Sequence, residues 1–469
     1  MDTITAPGAS AKKPGLLINR DFALLFSGQA VSIIGDMLFN TTLTIWIATV
    51  LAKGQSWAPL AVSAVLLGAS VPVFLVGPFA GVFIDRANRR RMMLWMDGLR
   101  TIVIALMILF TGAMALPFLP GGRLPVGWTL GVIYVTVFVI NAAEQFFRPA
   151  SMAMIQMIVP EEQQAKAMGL SQVSLSLAVV IGPAVAAPLF VTFGPQWALL
   201  ANALSFATSY LTILLIRSSG SPVAQAANPQ RAGFLSEFWE GVRFYFSNRV
   251  LVTLTIAVIV AVLGASALNT LDIFFTTRNL GASTTVYGFV GAVYGLGSII
   301  GSVALPAFAE RIGLARLLWS SLALMGVLVM ILSRLTSVGP ALSFMLAIGF
   351  FNAALNIAAS PLMMRATPSH MMGRAMSIFQ PAMNLSILVS TALIGYLASV
   401  TLRDFHATFA GAHFGAVDTI WLVGGAIIAL SAIIVAIGLW GVDRRARETR
   451  AIASAQHAQV ERELAAPLG

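Results

Sequence analysis

The sequence predicts an all-α polytopic membrane protein with twelve transmembrane helices in two pseudo-symmetric six-helix bundles. Of its 469 residues, 58% are hydrophobic and 10% are charged, whereas a soluble domain has about 25% charged residues. The mean hydropathy is +0.88. The apolar residues are gathered in runs of about 20, the length that crosses a bilayer as a helix.

Twelve such runs follow one another along the chain. We expect spans near 22–51, 59–83, 92–116, 127–155, 168–191, 197–216, 249–276, 285–308, 315–335, 341–363, 375–399 and 418–441. An even number places both termini on one side. Most Lys and Arg residues then lie on that side; the exceptions are Lys53, Arg123, Arg278, Arg334 and Arg403 on the other side, and Arg100 and Arg148 within spans. By the positive-inside rule, both termini are expected in the cytoplasm, with the chain in a plasma membrane such as a bacterial inner membrane.

The longest internal polar stretch divides the spans into six and six. We expect an N-terminal bundle over 1–216, a cytoplasmic linker over 217–248, a C-terminal bundle over 249–441 and a cytoplasmic tail over 442–469. The second part of the linker has aromatic residues at helical spacing, which predicts an amphipathic helix on the membrane surface. A repeat supports the division: Pro160, Lys166, Ala167, Met168 and Gln172 recur at one offset as Pro368, Arg374, Ala375, Met376 and Gln380.

Composition argues against several other classes of protein. There is no Cys, and the four His residues lack metal-ligand spacing, so neither a disulfide nor a metal site is expected. Without a phosphate-binding loop or a clustered nucleophile, we expect no cofactor, no use of ATP and no enzyme activity. The net charge of +10 is dispersed among short loops, which argues against nucleic-acid binding. The polar first 20 residues predict no cleaved signal peptide.

The loop after span two has the pattern Gly81-x-x-x-Asp85-Arg86-x-x-Arg89-Arg90. Together with twelve spans and the six-plus-six repeat, it resembles the signature of the major facilitator superfamily. Asn88 stands where that family usually has glycine, and Asn tolerates the same left-handed turn. The resemblance implies alternating access and a conformational gating role for a set of charged and small residues: Gly81, Asp85, Arg86, Arg89, Arg90, Asp97, Arg100, and the weaker echo Glu310 and Arg311. Asp97 and Arg100 are expected to join Asp85 and Arg86 in one cytoplasmic charge network.

Three further segments resemble the macrolide-efflux-like branch of drug:proton antiporters, namely Phe146 to Ala153, Val159 to Glu161 and Asn202 to Phe206. Gly182 and Pro183 in span five are similar to the Gly-Pro motif of proton-driven drug exporters. Alanines stand where those exporters prefer glycines, and span four lacks their usual arginine followed by Gln-Gly.

An ionisable side chain within a span costs at least about 2.5 to 3.5 kcal/mol on insertion scales, so each one needs a reason. Asp36 lies in the middle of span one, where desolvation favours its protonated form. It is either a proton carrier or a structural carboxylate paired with a neighbouring helix. Glu144 and Arg148 in span four share a helix face; Glu144 is either a second protonation site, with Arg148 organising the charge, or the two form a structural pair.

Other polar residues within the spans are candidates for lining a substrate cavity, and they are Asn40, Gln145, Asp272, Asn352 and Asn356. In-membrane amides more often bond between helices, and Asp272 is alternatively an interfacial residue.

The sequence thus predicts a monomeric secondary active transporter whose partners are a small molecule, protons and the lipid bilayer. Proton-coupled export of an amphipathic or hydrophobic molecule is the leading hypothesis. A lysophospholipid or siderophore transporter of the same superfamily is the nearer alternative. A membrane enzyme or scaffold is the more distant one, and a scaffold would have no need of a buried Asp36 and Glu144.

Overall fold

A computed structural model describes residues 18–77, 79–80, 87–111, 124–217, 234–368, 371–409 and 412–441. Within these residues, twelve helices are long and apolar enough to cross a membrane, which confirms the predicted fold class and a multi-pass membrane protein. Four of them contain a π-helical segment. The spans are α1 Arg20–Trp46 continued by Ile47–Leu51, α2 Ala58–Leu75, α3 Arg89–Phe110, α4 Val126–Ile158, α5 Glu161–Phe193, α6 Pro195–Leu214, α7 Arg249–Phe274 continued by Phe275–Asn279, α8 Thr284–Ile312, α9 Leu314–Leu332, α10 Val338–Ala354 continued by Leu355–Ala359 and Ser360–Ala366, α11 Met372–Tyr396 continued by Leu397–Thr401, and α12 Ala416–Gly438.

Local sequence fixes where several helices begin. Asn19 caps α1 by accepting a hydrogen bond from the Phe22 amide, and Asn248 caps α7 in the same way. The helix α5 begins at Glu161, earlier than the apolar run predicts, because acidic residues in a first turn are stabilised by the helix dipole. Its first turns therefore extend beyond the apolar stretch.

Asn88 corrects one expectation from the sequence. Instead of adopting a left-handed turn, it has φ −69° and ψ 113°, and its side chain caps α3 by accepting from the Arg91 amide at 3.0 Å. Capping explains an Asn at this position without a left-handed turn, because an N-cap residue needs an extended backbone and a short polar side chain. At the equivalent place before α9, Gly313 does have a positive φ of 96°.

The packing of the spans repeats along the chain. In the first six, α1 packs on α5 and α6, α3 on α4 and α6, and α2 on α4. In the last six, α7 packs on α11 and α12, α9 on α10 and α12, and α8 on α10. Each pair thus has its counterpart six spans later, as expected for two repeats in the same membrane direction.

The two sets of six spans meet through α5 against α8 and α2 against α11. We call the face at which α1 begins the N face, and the other the opposite face. Toward the opposite face, the Leu60 amide of α2 donates to the Ser399 hydroxyl of α11 at 2.9 Å. Close to it, Gly395 of α11 lies against Ser63 of α2 with no space for a side chain. The halves are therefore in close contact on this side.

Within the described residues, one helix and one β-hairpin lie outside the spans. The linker helix, Phe234–Ser247, lies within the predicted linker and packs on α7 and α11. Its buried Tyr245 hydroxyl is hydrogen-bonded to Thr255 at 2.5 Å, and burial raises the pKa of Tyr245. On the opposite face, β1 (Ala407–Phe409) and β2 (Ala412–Phe414) form an antiparallel hairpin that the sequence analysis did not predict.

Candidate functional site

A cavity of about 440 Å³ lies within the first six spans, between α1, α3, α4 and α5. It extends from Asp36, near the middle of α1, toward the N face, where Ile155 and Met168 line it. Its wall has two kinds of surface: a charged side with Asp36, Arg100, Glu144 and Arg148, and an apolar side rich in methionine. Such a wall suits a ligand with both apolar and polar parts.

Arg100 is the centre of the charged side. Its guanidinium donates to Glu144 of α4 at 2.5 Å and lies 3.6 Å from Asp97, one turn earlier on α3. The rings of Phe147 and Phe206 lie 4.7 and 5.1 Å from the guanidinium carbon, so cation–π contacts add to the ion pairs. Arg100 has 2% exposure and Asp97 has none, whereas the Glu144 side chain is 40% exposed in the cavity.

The negative charge of the buried Asp97 carboxylate is only weakly compensated by its neighbours. Both of its oxygens are inaccessible, and neither makes a hydrogen bond of standard geometry within the described structure, although the buried Ser209 hydroxyl of α6 lies close. Its contact with Arg100 at 3.6 Å is longer than the 2.7 to 2.9 Å of a good charge-assisted hydrogen bond. Because an ion pair in low dielectric is favourable only with close geometry and further hydrogen bonds, this arrangement is costly when Asp97 is ionised.

Asp36 faces the same cluster from α1. Its carboxylate lies within the electrostatic field of Arg100, Glu144 and Asp97 and close to the buried Asn202 amide of α6. That amide nitrogen makes no hydrogen bond of standard geometry. Beside it, Gly35 lets α1 approach α6, because a Cβ there would overlap Asn202 and Ser205. The structure thus brings Asp36 and Glu144 to one cavity wall.

Of the two alternatives for Glu144, the structural pair with Arg148 is wrong. Glu144 points to Arg100 on the neighbouring helix, and the exposed Arg148 lines the cavity without an acidic partner among the described side chains. Two residues four apart on a helix share a face, so Arg148 was a possible partner. Glu144 pairs with Arg100 instead, because the buried guanidinium lies closer to it across the α3–α4 contact.

The residues expected to gate the transporter are not all together. Asp97 and Arg100 belong to the cavity cluster, and Arg90 instead donates to the carbonyls of Ile213 and Leu214 at 3.1 and 2.6 Å, where it closes the end of α6. Arg89 contacts the Met157 sulfur at 2.8 Å. Arg311 is exposed in the last turn of α8. Gly81, Asp85, Arg86 and the Glu310 side chain lie outside the described residues.

The Gly182-Pro183 motif lies where three helices meet. Gly182 packs on Met37 of α1, one residue after Asp36, with no space for a Cβ. On the other side of α5, the Pro183 carbonyl lies against Gly288 of α8, and the Pro183 ring lies close to Gly291. The motif therefore couples the cavity wall on α1 to the contact between the two halves.

None of the five residues proposed for substrate contact lines the cavity beside Asp36. Asn40 is exposed one turn beyond it, and Gln145 donates to the Asn141 carbonyl at 3.3 Å. Asp272 lies farther toward the opposite face, near Tyr287 of α8, whose hydroxyl interacts with Thr44 of α1. The remaining two, Asn352 and Asn356, lie on α10, the latter in its π-helical segment.

The polar residues of α1 that line the cavity together with Asp36 were missed by the sequence analysis. Gln29 hydrogen-bonds to Ser151 of α4, and both it and Ser32 line the cavity with Asp36. The signal was present in the sequence, because residues 29, 32 and 36 follow the i, i+3, i+7 spacing of one helix face.

The twelve-helix fold with an internal cavity defines a membrane transporter, and comparison with known proteins names its family. Residues 15–437 match the model of the transmembrane secretion effector family of the major facilitator superfamily, MFS_3, and the chain belongs to this family. It is a secondary transporter of this type and not an enzyme.

Relatives and solved structures agree with this family. The uncharacterized MFS-type transporter YkuC of Bacillus subtilis (strain 168) is 25% identical over 81% of this chain and 86% of its own length. Macrolide efflux protein A of Streptococcus pyogenes is 24% identical over 65% of this chain and 71% of its own length. A bacterial homologue of the iron transporter ferroportin, 15% identical in its inward-facing state, matches with a TM-score of 0.65 over 89% of this chain and 98% of that structure. Its outward-facing state matches with a TM-score of 0.58, at 16% identity, over 90% of this chain and 99% of that structure.

Proposed function

We propose that this chain exports an amphipathic or hydrophobic small molecule in exchange for protons, by alternating access between its two six-helix halves. The N face is the cytoplasmic face in this proposal. The observation that carries it is a charge imbalance: among the described side chains, the carboxylates of Asp36, Asp97 and Glu144 surround the single buried guanidinium of Arg100.

This imbalance favours bound protons or a cationic ligand. Arg100 neutralises one carboxylate, the exposed Arg148 of the same cavity can compensate a second, and each further ionised group within a span costs at least about 2.5 to 3.5 kcal/mol. Holding a proton on one or two of the carboxylates removes that cost, so the cluster has the composition of a proton-binding site.

Exposure separates the roles of the carboxylates. Glu144 is 40% exposed in the cavity, so protons from the aqueous phase can reach it, whereas Asp97 is fully buried. When Glu144 takes a proton, its attraction for Arg100 falls, and the guanidinium is free to move closer to Asp97 or Asp36. Since Arg100 lies on α3 and Glu144 on α4, this exchange changes the contact between two helices, which is the kind of local charge change that biases a two-state transporter.

Three observations support this orientation, with the cavity open toward the cytoplasm. Lys and Arg residues are concentrated at the N face, which favours a cytoplasmic location for it. The cavity extends toward that face, while α2 and α11 are in contact toward the other. The fold also matches the inward-facing state of the ferroportin homologue better than the outward-facing state.

The cavity wall supports the class of substrate. Met37, Met152 and Met168 give an adaptable apolar surface, and Phe147 adds an aromatic ring. A carboxylate at the end of such a surface favours hydrophobic molecules with a weakly basic group. Macrolide efflux protein A, a relative of this chain, is named for the efflux of macrolides.

Transport by purified protein in liposomes with an imposed pH gradient tests this proposal. Fluorescent lipophilic cations, a macrolide, a lysophospholipid and a siderophore are offered in parallel. We expect the gradient to accelerate uptake of a cation or the macrolide, and Asp36→Asn and Glu144→Gln to abolish that acceleration. Asp404→Asn is the matched control, since this carboxylate is 90% exposed in a loop.

Substrate movement that is unaffected by both the gradient and the two substitutions contradicts proton coupling. Gradient-dependent movement of the lysophospholipid or the siderophore alone keeps the coupling and replaces the substrate class.

A further inference from the structure

A groove of about 810 Å³ lies between α3 and α6, apart from the cavity beside Asp36. Trp95, Ile102 and Leu211, exposed by 75, 59 and 61%, form its rim. The nearest atoms to a Cβ built on Gly98 are in the Tyr210 ring, at 3.8 Å, so the absent side chain leaves the groove open above that ring. These apolar side chains face outward from the bundle, toward the hydrocarbon of the bilayer.

The groove has one polar end. Arg91, in the first turn of α3 at the N face, lines it, and within the described residues no acidic side chain pairs with it. From Arg91 to Ile102 the helix rises about 16 Å, close to half of the roughly 30 Å hydrocarbon core. The groove thus runs through one leaflet, with a cation at the depth of the headgroups and Trp95 at the interface.

The same arrangement occurs a second time in the other half. A groove of about 330 Å³ between α9 and α12, the counterparts of α3 and α6, is lined by Arg316 and Trp319. Arg316 and Trp319 are one turn apart in the first turns of α9, as Arg91 and Trp95 are in α3. The two sets of six spans therefore present the same combination of an arginine, a tryptophan and an apolar groove at the same face, which indicates the same kind of interaction at both places.

We propose that the α3–α6 groove binds an anionic phospholipid of the N-face leaflet, with its phosphate on Arg91 and an acyl chain along Gly98 and Tyr210. The negative headgroup complements the guanidinium, and the apolar floor complements the acyl chain. This lipid is a bound component of the transporter and not its cargo, because the groove shares no lining residue with the cavity at Asp36.

Native mass spectrometry of the purified, delipidated full chain tests the site. The protein is exposed to equal amounts of phosphatidylglycerol and phosphatidylcholine with identical acyl chains, and the retained lipids are counted. We expect the unmodified chain to retain phosphatidylglycerol in preference. Arg91→Gln should lower that preference about fivefold, the size expected for one basic residue at the headgroup level. Gly98→Leu, which fills the groove, should reduce retention of both lipids.

Gly131→Leu is the matched control. Gly131 is exposed on α4 and has open space at its Cβ, so this substitution adds the same side chain outside the groove and should leave lipid retention unchanged. Because Arg91 is exposed, we expect Arg91→Gln to fold, and it tests the site even if Gly98→Leu does not fold. Equal retention of phosphatidylglycerol by Arg91→Gln and the unmodified chain, or no preference over phosphatidylcholine in the unmodified chain, overturns the proposal.

Discussion

The Arg100 guanidinium of α3 donates to the Glu144 carboxylate of α4 at 2.5 Å, while Asp97 on its own helix is held at the longer distance of 3.6 Å. The more exposed acid therefore has the closer bond, and the fully buried acid has the weaker one. In the proposed coupling, a proton that reaches Glu144 through the cavity changes which carboxylate Arg100 neutralises.

Removing Arg100 should destabilise the protein more than removing the whole buried pair. Arg100→Gln leaves Asp97 buried without a cation, and breaking a buried ion pair costs about 3 to 5 kcal/mol. Asp97→Asn combined with Arg100→Gln leaves two neutral amides and should recover most of that stability. Thermal unfolding of the detergent-solubilised variants measures both. Arg148→Gln, which removes an exposed arginine from the same cavity, should unfold like the unmodified chain. A double variant as unstable as Arg100→Gln would contradict the assignment of Asp97 as the uncompensated charge.

Locking the contact between α2 and α11 should stop transport. The Leu60 amide lies 2.9 Å from the Ser399 hydroxyl, so the two Cα atoms are within about 7 Å of each other, the upper limit for a disulfide. The chain contains no Cys, so Leu60→Cys with Ser399→Cys introduces the reactive pair without background. Oxidation should abolish substrate movement, and reduction should restore it.

A pair within one half provides the control for this crosslink. The hydroxyls of Ser266 on α7 and Ser390 on α11 lie 2.8 Å apart, and both helices belong to the last six spans. Oxidised Ser266→Cys with Ser390→Cys should transport normally, since the two helices move together. Transport that persists with the 60–399 disulfide formed would show that the halves need not separate there.

A polar cluster on the opposite face should stabilise the protein without affecting coupling. Asp418 pairs with Arg334 at 2.6 Å and also accepts from the Gly415 amide at 2.8 Å, where it supports the start of α12. Asp418→Ala loses both interactions and should cost about 2 kcal/mol, whereas Asp418→Asn keeps an acceptor and should cost about 1 kcal/mol. Thermal unfolding of these variants, compared with the exposed-loop variant Asp404→Asn, measures the difference. Equal losses for Ala and Asn would assign all of the effect to the ion pair.

The sequence was sufficient to locate the spans and to identify the charged residues within them. It was insufficient to predict which residues these charges pair with. Hydropathy locates the helices because hydrocarbon demands about 20 apolar residues, and it isolates Asp36, Asp97 and Glu144 as costly. The partner of Glu144 depends on the rotation of α3 against α4, which is set by packing across many residues and leaves no local pattern. Spacing within a helix therefore favoured Arg148, whereas the tertiary contact selects Arg100.

The π-helical segments and the β1–β2 hairpin were missed for the same reason. A π turn such as Leu355–Ala359 differs from an α-helix by a hydrogen-bond shift that apolar composition does not encode. The hairpin strands have three residues each, too short for an alternating pattern to be recognised.

The contact between α5 and α8 should control which face is open. Two glycines of α8, one turn apart, allow the same Gly→Ala substitution to be compared at a tight contact and at a looser one. A Cβ at Gly288 would overlap the Pro183 carbonyl, whereas a Cβ at Gly291 would approach the Pro183 ring at an adjustable 3.3 Å. Gly288→Ala should therefore push α8 away from α5 and favour opening toward the opposite face, and Gly291→Ala should have little effect. A cysteine at Thr44, beside Tyr287 of α8, reports this opening by its rate of labelling with a membrane-impermeant thiol reagent. We expect labelling to be several-fold faster with Gly288→Ala than with Gly291→Ala, because only the former separates backbone from backbone. Equal rates in the two backgrounds would mean that the α5–α8 contact does not hold the opposite face closed.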